Sequence, residues 1–433
     1  MDVGKIRRNV LVIAYYFPPL GLSGVQRTLK FVKYLPEYGW QPTVLTVGNV
    51  GFYAKDNSLL EELEGKGIRI IRTHTRDPLR LFHKKDVVSI PRESVRSFAT
   101  SLSQTFLQPD NKIGWKKYAL GAVDDLMQES DHPAFDAIFA TAPPYTDFLI
   151  GAELKRKYRI PLVIDYRDAW VGNPRNFYAT PFHRAYAARS EEQVLRESNN
   201  IIVVQRKIKE QLIRRYPFIG FDDVRIISHG YDQSDFDAAR TRAANVPDTS
   251  KMRFTYSGIF YENCSPKYFL EALALVFARH PETKNNIEAC FVGHFRKEHL
   301  KIIKRLNLSD AVLLTGYLPH VESVQMLLRS DVLWEIVFSA MYTPGKIFEY
   351  IGARKPVIAC VPEGVVAQIM RDYGAAQVTA PADVEAIASA IHNYYLLWKQ
   401  GKLPVPSESF VKEFERRLLT QELAKTLEAV APL

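Results

Sequence analysis

Short apolar, β-branched runs recur along this chain, separated by amphipathic stretches, and this alternation restricts the fold more than any other feature. In the first half the runs occupy 9–16, 42–47, 135–141, 161–166, 200–204 and 224–228; in the second, 253–257, 287–292, 311–315, 332–337 and 356–361. They are apolar at nearly every residue rather than every second one, as expected of strands buried on both faces of a parallel sheet that helices cover. A chain of 433 residues exceeds one ordinary core, so two doubly wound α/β domains are expected. The boundaries that follow are a first domain over 1–232, a polar linker over 233–251 containing Pro247, a second domain over 252–405 and a closing helix over 406–433. In that helix Phe410, Phe414, Leu418, Leu423 and Leu427 fall at helical spacing. Parallel sheets bind ligands beyond the carboxyl ends of their strands, so a cleft between two facing domains is the expected site.

Composition narrows the class. With 47% hydrophobic and 24% charged residues, the chain reads as a globular enzyme without disordered tracts. Cys264, Cys290 and Cys360 are its only cysteines; lacking zinc spacing or disulfide density, they point to a reducing, cytoplasmic setting. The apolar run near the N-terminus is closed by Pro18 and Pro19, too short for a signal core or a membrane span, and reads as the first strand. The net charge is +9, and between Arg69 and Lys117 eleven Lys or Arg face four acids. Beside Leu79, Leu81, Phe82, Phe98, Phe106, Leu107 and Trp115, this charge suits an anionic membrane surface, hence peripheral attachment, or an anionic acceptor. The alternative is a solvated insertion. No nucleic-acid recognition motif accompanies it.

Three places carry chemistry. After the first strand, Ser23 and Gln26 have capping-box spacing, so a helix is expected from Gly24 or Val25, with Val25, Leu29, Val32 and Leu35 on its buried face. Its N-terminus, with Gly21 and Gly24 permitting close approach, attracts anions or forms a plain turn. In the second half Thr343 reads as an N-cap and Pro344 as the first helical residue, placing Lys346 and Glu349 three apart on one face. A lysine in a first turn opposes the helix dipole unless an anion sits there; the alternative is a surface pair. At the end of the run 161–166, Asp165, Arg167 and Asp168 stand where α/β folds place functional residues; they are catalytic candidates or a loop-bracing pair. His229 before Gly230 is a further candidate and His294 a weaker one. Neither an Asp-x-Asp motif nor paired His or Cys ligands are seen, so no metal is expected.

These segments resemble the retaining glycosyltransferases of family four. Pro18-Pro-x-Gly21-x-x-Gly24 with Arg27 is similar to the opening of that family's first domain, and Ser228-His-Gly-Tyr-Asp232 with Phe236 to the turn that leaves it. Tyr256-Ser-Gly258 resembles the strand end that opens the second domain, and Pro344-Gly-Lys-Ile-Phe-Glu349-Tyr-Ile-Gly-Ala-Arg-Lys-Pro356 the donor-binding segment. The resemblance implies a GT-B fold and a hexosyltransferase-type enzyme. It would move sugar from a nucleotide-sugar donor to a glycan or lipid-linked acceptor, without metal or other cofactor. It also implies that Glu349 accepts from the ribose diol, that Gly345 and Lys346 lie near the diphosphate with Gly258, and that Lys267 is a phosphate lysine or else a solvent-facing one. Three departures are visible: Met341 stands where the family often has a further glutamate, the arginine usual before Lys267 is missing, and Arg167-Asp168 replace a histidine. An epimerase on the same scaffold, or a silent glycan- or nucleotide-sugar-binding protein, are the competing readings.

Overall fold

The computed structural model describes residues 8–21, 23–48, 50–52, 54–77, 103–129, 134–174, 176–241, 249–260 and 264–431. The chain forms two compact units, residues 1–229 with 416–433, and residues 230–415.

In the first unit the strands are β1 (Arg8–Ile13), β2 (Trp40–Val47), β3 (Arg69–Thr73), β4 (Ala137–Ala142), β5 (Leu162–Tyr166), β6 (Asn200–Val203) and β7 (Val224–Ile226). They form one sheet in the order β3-β2-β1-β4-β5-β6-β7, parallel at every pairing. Val10 to Ile13 are fully buried, as are Ile138, Phe139, Val163 and Ile164, which explains why the runs are continuous rather than alternating. The helix Ser23–Tyr34 buries Val25, Leu29 and Val32, and Leu35 follows in the same core.

The second unit has β8 (Met252–Ser257), β9 (Ile287–Val292), β10 (Val312–Gly316), β11 (Val332–Ile336), β12 (Val357–Cys360) and β13 (Ala376–Thr379). Their order is β10-β9-β8-β11-β12-β13, again parallel throughout. In each sheet the order reverses beside the first strand of the unit, between β1 and β4 and between β8 and β11. Those reversals open the crevices where such sheets take ligands.

Two boundary expectations are corrected. The stretch expected as a linker over 233–251 opens with a helix, Gln233–Thr241, which belongs to the second unit. Phe236 and Ala239 give it an apolar face, buried with Val324 and Leu327 of the helix His320–Leu328, and Asp232 Oδ1 accepts from the Ser234 backbone at its start. Residues 242–248, with Pro247, lie outside the described residues. The single closing helix is instead two, Glu408–Lys412 and Arg416–Glu428. Between them the Phe414 carbonyl accepts from the Tyr231 backbone, which draws the chain out of helical geometry. Phe410 and Phe414 therefore pack in the second unit, Leu423 and Leu427 in the first, and Leu418 is exposed.

Gly352, in the helix Lys346–Ala353, shows how tightly the second unit is packed. A Cβ on it would lie 2.5 Å from Tyr231 Cγ and 2.7 Å from Phe236 Cε2, both rings buried. Gly352→Ala is expected to destabilise the second unit by about 1 to 3 kcal/mol through overpacking. Denaturant unfolding followed by fluorescence checks this; a stability equal to the parent's would show that the ring of Tyr231 gives way freely.

Candidate active site

The crevice of the second unit is built largely from backbone. β8 ends in Gly258 at φ 134°, β9 in Gly293 at φ 121° and β10 in Gly316 at φ 72°, conformations that L side chains rarely adopt. A Cβ on Gly293 would lie 2.5 Å from the Gly258 carbonyl oxygen, so these strand ends approach each other as only glycine permits.

Lys346 enters beside this wall. Its side chain reaches Gly258, where an added Cβ would lie 3.3 Å from Nζ. The ammonium donates to the Tyr256 hydroxyl, sits 3.8 Å from the Tyr256 ring centroid and pairs with Glu335 Oε1 at 3.1 Å. Glu335 lies on β11 in the row of Leu333 and Val337, and only 1% of it is exposed. Burial raises its carboxyl above the ordinary range while Lys346 opposes the rise. Sequence reasoning missed Glu335, although a lone charge within Val-Leu-Trp-Glu-Ile was the available signal. It also expected Lys346 to find its anion in a ligand or in Glu349, and the structure supplies Glu335 instead.

The helix start is corrected by two residues. The α-helix begins at Lys346 with Gly345 as N-cap, and Thr343 makes no side-chain cap. The Pro344 carbonyl accepts from Ile347, so the segment enters the helix through a tight turn. An added Cβ at Gly345 would meet nothing within 4 Å, leaving this backbone open to approach. Glu349 follows one turn later, half-buried. Lys267 opens the helix Lys267–Arg279, is exposed, and rests 5.1 Å from the ring of its neighbour Tyr268. Among the described residues it makes no contact with Lys346.

In the first unit Arg27 organises the crevice. Its Nε and Nη2 donate to the two carboxylate oxygens of Asp165 at 3.0 and 2.8 Å, and its remaining donors reach the Ser228 and Ile227 carbonyls at 2.6 and 2.9 Å. Thr141 donates to the same carboxylate. Asp165 is thus a bracing residue. Arg167 turns the other way and donates to the carbonyls of Gly24, after β1, and Pro143, after β4, so it spans the point where strand order reverses. The helix there begins at Ser23, and the Ser23 side chain lies outside what is described. Asp168 is half-buried beside Arg167, supporting its charge against the loss caused by burial. His229, next to the carbonyls that Arg27 holds, is pushed well below its ordinary 6.5 by burial and by Arg27, Arg416 and Arg167. Asp147 was also missed: buried, its carboxylate accepts from the Tyr15 backbone, but an acid in a helix's first turn is too ordinary to stand out in sequence.

Within the second unit, one trio among the described residues could hold a metal: His280, Glu282 and His392 bring ligand atoms within 4.8 Å. The two imidazoles are stacked at 3.7 Å and 6°. Their lone pairs lie in nearly parallel planes that do not meet on one ion. The trio sits at the end of the helix Lys267–Arg279 remote from Lys267, roughly 18 Å along its axis.

Residues 24–230 match the glycosyl transferase 4-like domain, and residues 251–396 match the glycosyl transferases group 1 model. The chain belongs to the group 1 glycosyltransferases. Among solved structures, this glycosyltransferase is similar to Anabaena HepE in complex with UDP, with 15% identity, TM-score 0.62 and coverage of 98% of this chain and 100% of the other. It is similar also to sucrose-phosphate synthase from Thermosynechococcus elongatus, with 16% identity, TM-score 0.61 and coverage of 98% and 99%. A Listeria monocytogenes protein described as a UDP-N-acetylglucosamine 2-epimerase shares the fold at 10% identity and TM-score 0.56, covering 98% and 96%. No curated protein matches the chain. The GT-B architecture is therefore common to transferase and epimerase, and the family models separate them in favour of the transferase. No helix among the described residues is long and apolar enough to cross a membrane.

His229 gives the glycosyltransferase a defined acid response. Its folded form resists protonation, so the unfolded chain takes up a proton that the folded one does not once pH falls below the ordinary 6.5. The first unit should lose stability as pH drops through and below that value, with no contribution from His229 above it. His229→Gln should flatten this slope in urea unfolding at pH 5, 6 and 7. An unchanged slope would mean that His229 protonates as readily in the folded protein.

Proposed function

We propose that the second unit holds a nucleotide-sugar and that the enzyme transfers its hexose, with retention and without metal, to a glycan or lipid-linked acceptor. The observation that carries this reading is the placing of the Lys346 ammonium against Gly258 at the β8/β11 reversal. Positive charge and open backbone meet there, where a parallel sheet takes a diphosphate. Lys346 then stabilises the charge that grows on the diphosphate as the sugar departs, and Glu349 accepts from the ribose hydroxyls. The UDP bound by Anabaena HepE supports a nucleoside diphosphate as the leaving group. In the first unit the acceptor is assigned to Arg167, Asp168 and His229. A neutral His229 offers a lone pair to an acceptor hydroxyl, and Arg167 offers charge to an acceptor phosphate. Ser23, Gly24 and Lys267 are assigned lesser contacts, with polar acceptor groups and with the donor.

The donor reading is tested by thermal shift and calorimetry with the uridine, guanosine, cytidine and adenosine 5′-diphosphates, since a specific ligand raises apparent stability. One should bind in excess chelator. Glu349→Gln loses charge-assisted bonds of about 1.5 to 3 kcal/mol each, so affinity for that nucleotide and for its nucleoside should fall at least about tenfold. Lys346→Ala should spare the nucleoside and weaken the diphosphate. If both variants bind like the parent, the donor site is misplaced.

For the acceptor side we infer docking on an anionic membrane, although the basic segment contributes differently from expectation. Residues 78–102 lie outside the described residues. Of the rest, Arg69 pairs with Glu129, Lys112 with Asp77 and Lys116 with Glu153, while Trp115 is buried. Among the exposed apolar groups, Phe106 at 77% and Phe182 at 85% lie near this segment. They are neighbours, because His183 Nε2 lies 3.0 Å from the Thr105 carbonyl and the Phe177 backbone donates to Gln104 Oε1. Arg184 and Arg189 are exposed on the same helix as Phe182. Binding to phosphatidylglycerol-containing vesicles should weaken steeply with salt, each basic residue contributing about 1 kcal/mol near the surface. It should also weaken in the Phe106→Ser/Phe182→Ser double variant. Parent protein that ignores such vesicles at low salt would overturn the membrane assignment.

A further inference from the structure

Glu335 is out of place by the ordinary rules of a sheet interior. Its neighbours in the same row, Leu333 and Val337, belong to the apolar cluster under the helix Lys346–Ala353, together with Ile347 and Ile351. A third hydrophobe would complete that face, and a buried carboxylate costs several kcal/mol unless it is paired and hydrogen-bonded. Glu335 is only half provided for. Oε1 accepts from Lys346 at 3.1 Å and from the Ile336 backbone at 2.9 Å, but Oε2 is buried with no hydrogen-bond partner. Its charge therefore depends on Lys346, the same side chain to which the donor site assigns the diphosphate.

We propose that Glu335 stores Lys346 between turnovers and that a nucleoside diphosphate draws the lysine away from it, Glu335 taking a proton from solvent as the pair separates. The inference rests on the donor-site reading above. The exchange balances: the ammonium keeps its protons, its hydrogen bond to Oε1 is replaced by one to a phosphate oxygen, and the carboxylate plus one solvent proton becomes a neutral acid. Neutralisation follows from the surroundings. The titratable groups facing Glu335 are Lys346 and Tyr350 of the covering helix and Cys360 of β12, with Tyr256 of β8 bonded to Lys346. Burial raises Tyr350 well above its ordinary range and Cys360 to about 12, and Glu335 adds to both rises, so neither supplies a charge to replace the lysine. Without Lys346, only the Ile336 backbone N–H still opposes burial, which then favours the protonated form of the Glu335 carboxyl. Glu335 is then a positioning residue that makes nucleotide binding proton-coupled, and it keeps Lys346 extended toward Gly258 when the site is empty of donor.

The test uses the full chain and whichever of the four nucleoside 5′-diphosphates binds most tightly. Calorimetry at pH 7 in two buffers of different ionisation enthalpy reads the protons exchanged. The parent should take up more protons than Glu335→Gln, a difference that cancels any exchange by the nucleotide itself. Glu335→Gln should bind the diphosphate several-fold more tightly, since its lysine is no longer held back, with nucleoside affinity unchanged. Difference infrared spectra of the parent, which need no variant, should gain a protonated-carboxyl band on binding the diphosphate and not on binding the nucleoside. Equal proton exchange and equal affinity in the two proteins, or no such band in the parent, would overturn the inference. These failures are distinct from failure of the donor site itself, in which no diphosphate binds or Lys346→Ala binds it as the parent does.

Discussion

The first unit is organised by one buried ion pair. Arg27 is 1% exposed and Asp165 not at all, so both have given up nearly all hydration. Such a pair persists where good geometry and further hydrogen bonds offset the lost hydration, and here most of its donors and acceptors are used. The guanidinium makes two bonds to the carboxylate and two to backbone carbonyls, and Thr141 supplies a further donor to the acid. The partners come from the helix after β1, from β4, from β5 and from the chain following β7. One side chain thereby fixes four segments at the carboxyl ends of the sheet, and the segment following β7 carries His229. The field that keeps His229 neutral comes partly from the same guanidinium, so bracing and site electrostatics share one cause.

The second unit contains a buried pair of the opposite character. Lys346 and Glu335 are joined at a single carboxylate oxygen, and the other oxygen is orphaned. Arg27–Asp165 is held by two bonds between the partners and by three further hydrogen bonds to fixed neighbours, so a change of partner would cost it many contacts. A half-satisfied pair can change partner as soon as a ligand offers Lys346 more acceptors than Glu335 can. The contrast also reflects chemistry: the planar fork of arginine matches a carboxylate at two points, while a lysine is a flexible point charge that can change partner.

Legibility followed burial. All eleven runs read as strands are strands; most are buried on both faces and leave a continuous apolar signature, while the edge strands β7 and β10 carry apolar runs despite partial exposure. The two strands missed, β3 and β13, are each one edge of their sheet and pair with a single neighbour, although the opposite edges, β7 and β10, were legible. β3 carries Arg69 and Arg72 on exposed positions and β13 is half-exposed throughout, so neither needed an apolar run. The helix of Phe236 was hidden for a related reason: nine residues with two buried hydrophobes look polar until their partner helix is known. In the site, Lys346 was named from its place at a helix start, Arg167 from its place at a strand end and Gly258 from the family resemblance, whereas their partners could not be named. Which carboxylate meets Lys346 depends on the pairing of β8 with β11, a long-range contact that local pattern does not encode.

That pairing also bears on the chemistry, since fold alone leaves transfer and epimerisation open. Epimerisation at a sugar carbon needs an acid and a base on carboxylates that can reach the ring. The carboxylate nearest Lys346 is Glu335, and it is sealed under the helix and committed to the lysine. Glu349 is assigned to the ribose in the donor-site proposal, and the position eight residues before it is Met341. In that proposal the Lys346 ammonium and the open backbone at Gly345 and Gly258 meet the diphosphate, while Met341, a departure from the family's own pattern, weighs for neither reaction. What separates the two reactions is the match of both halves of the chain to transferase family models, over residues 24–230 and 251–396.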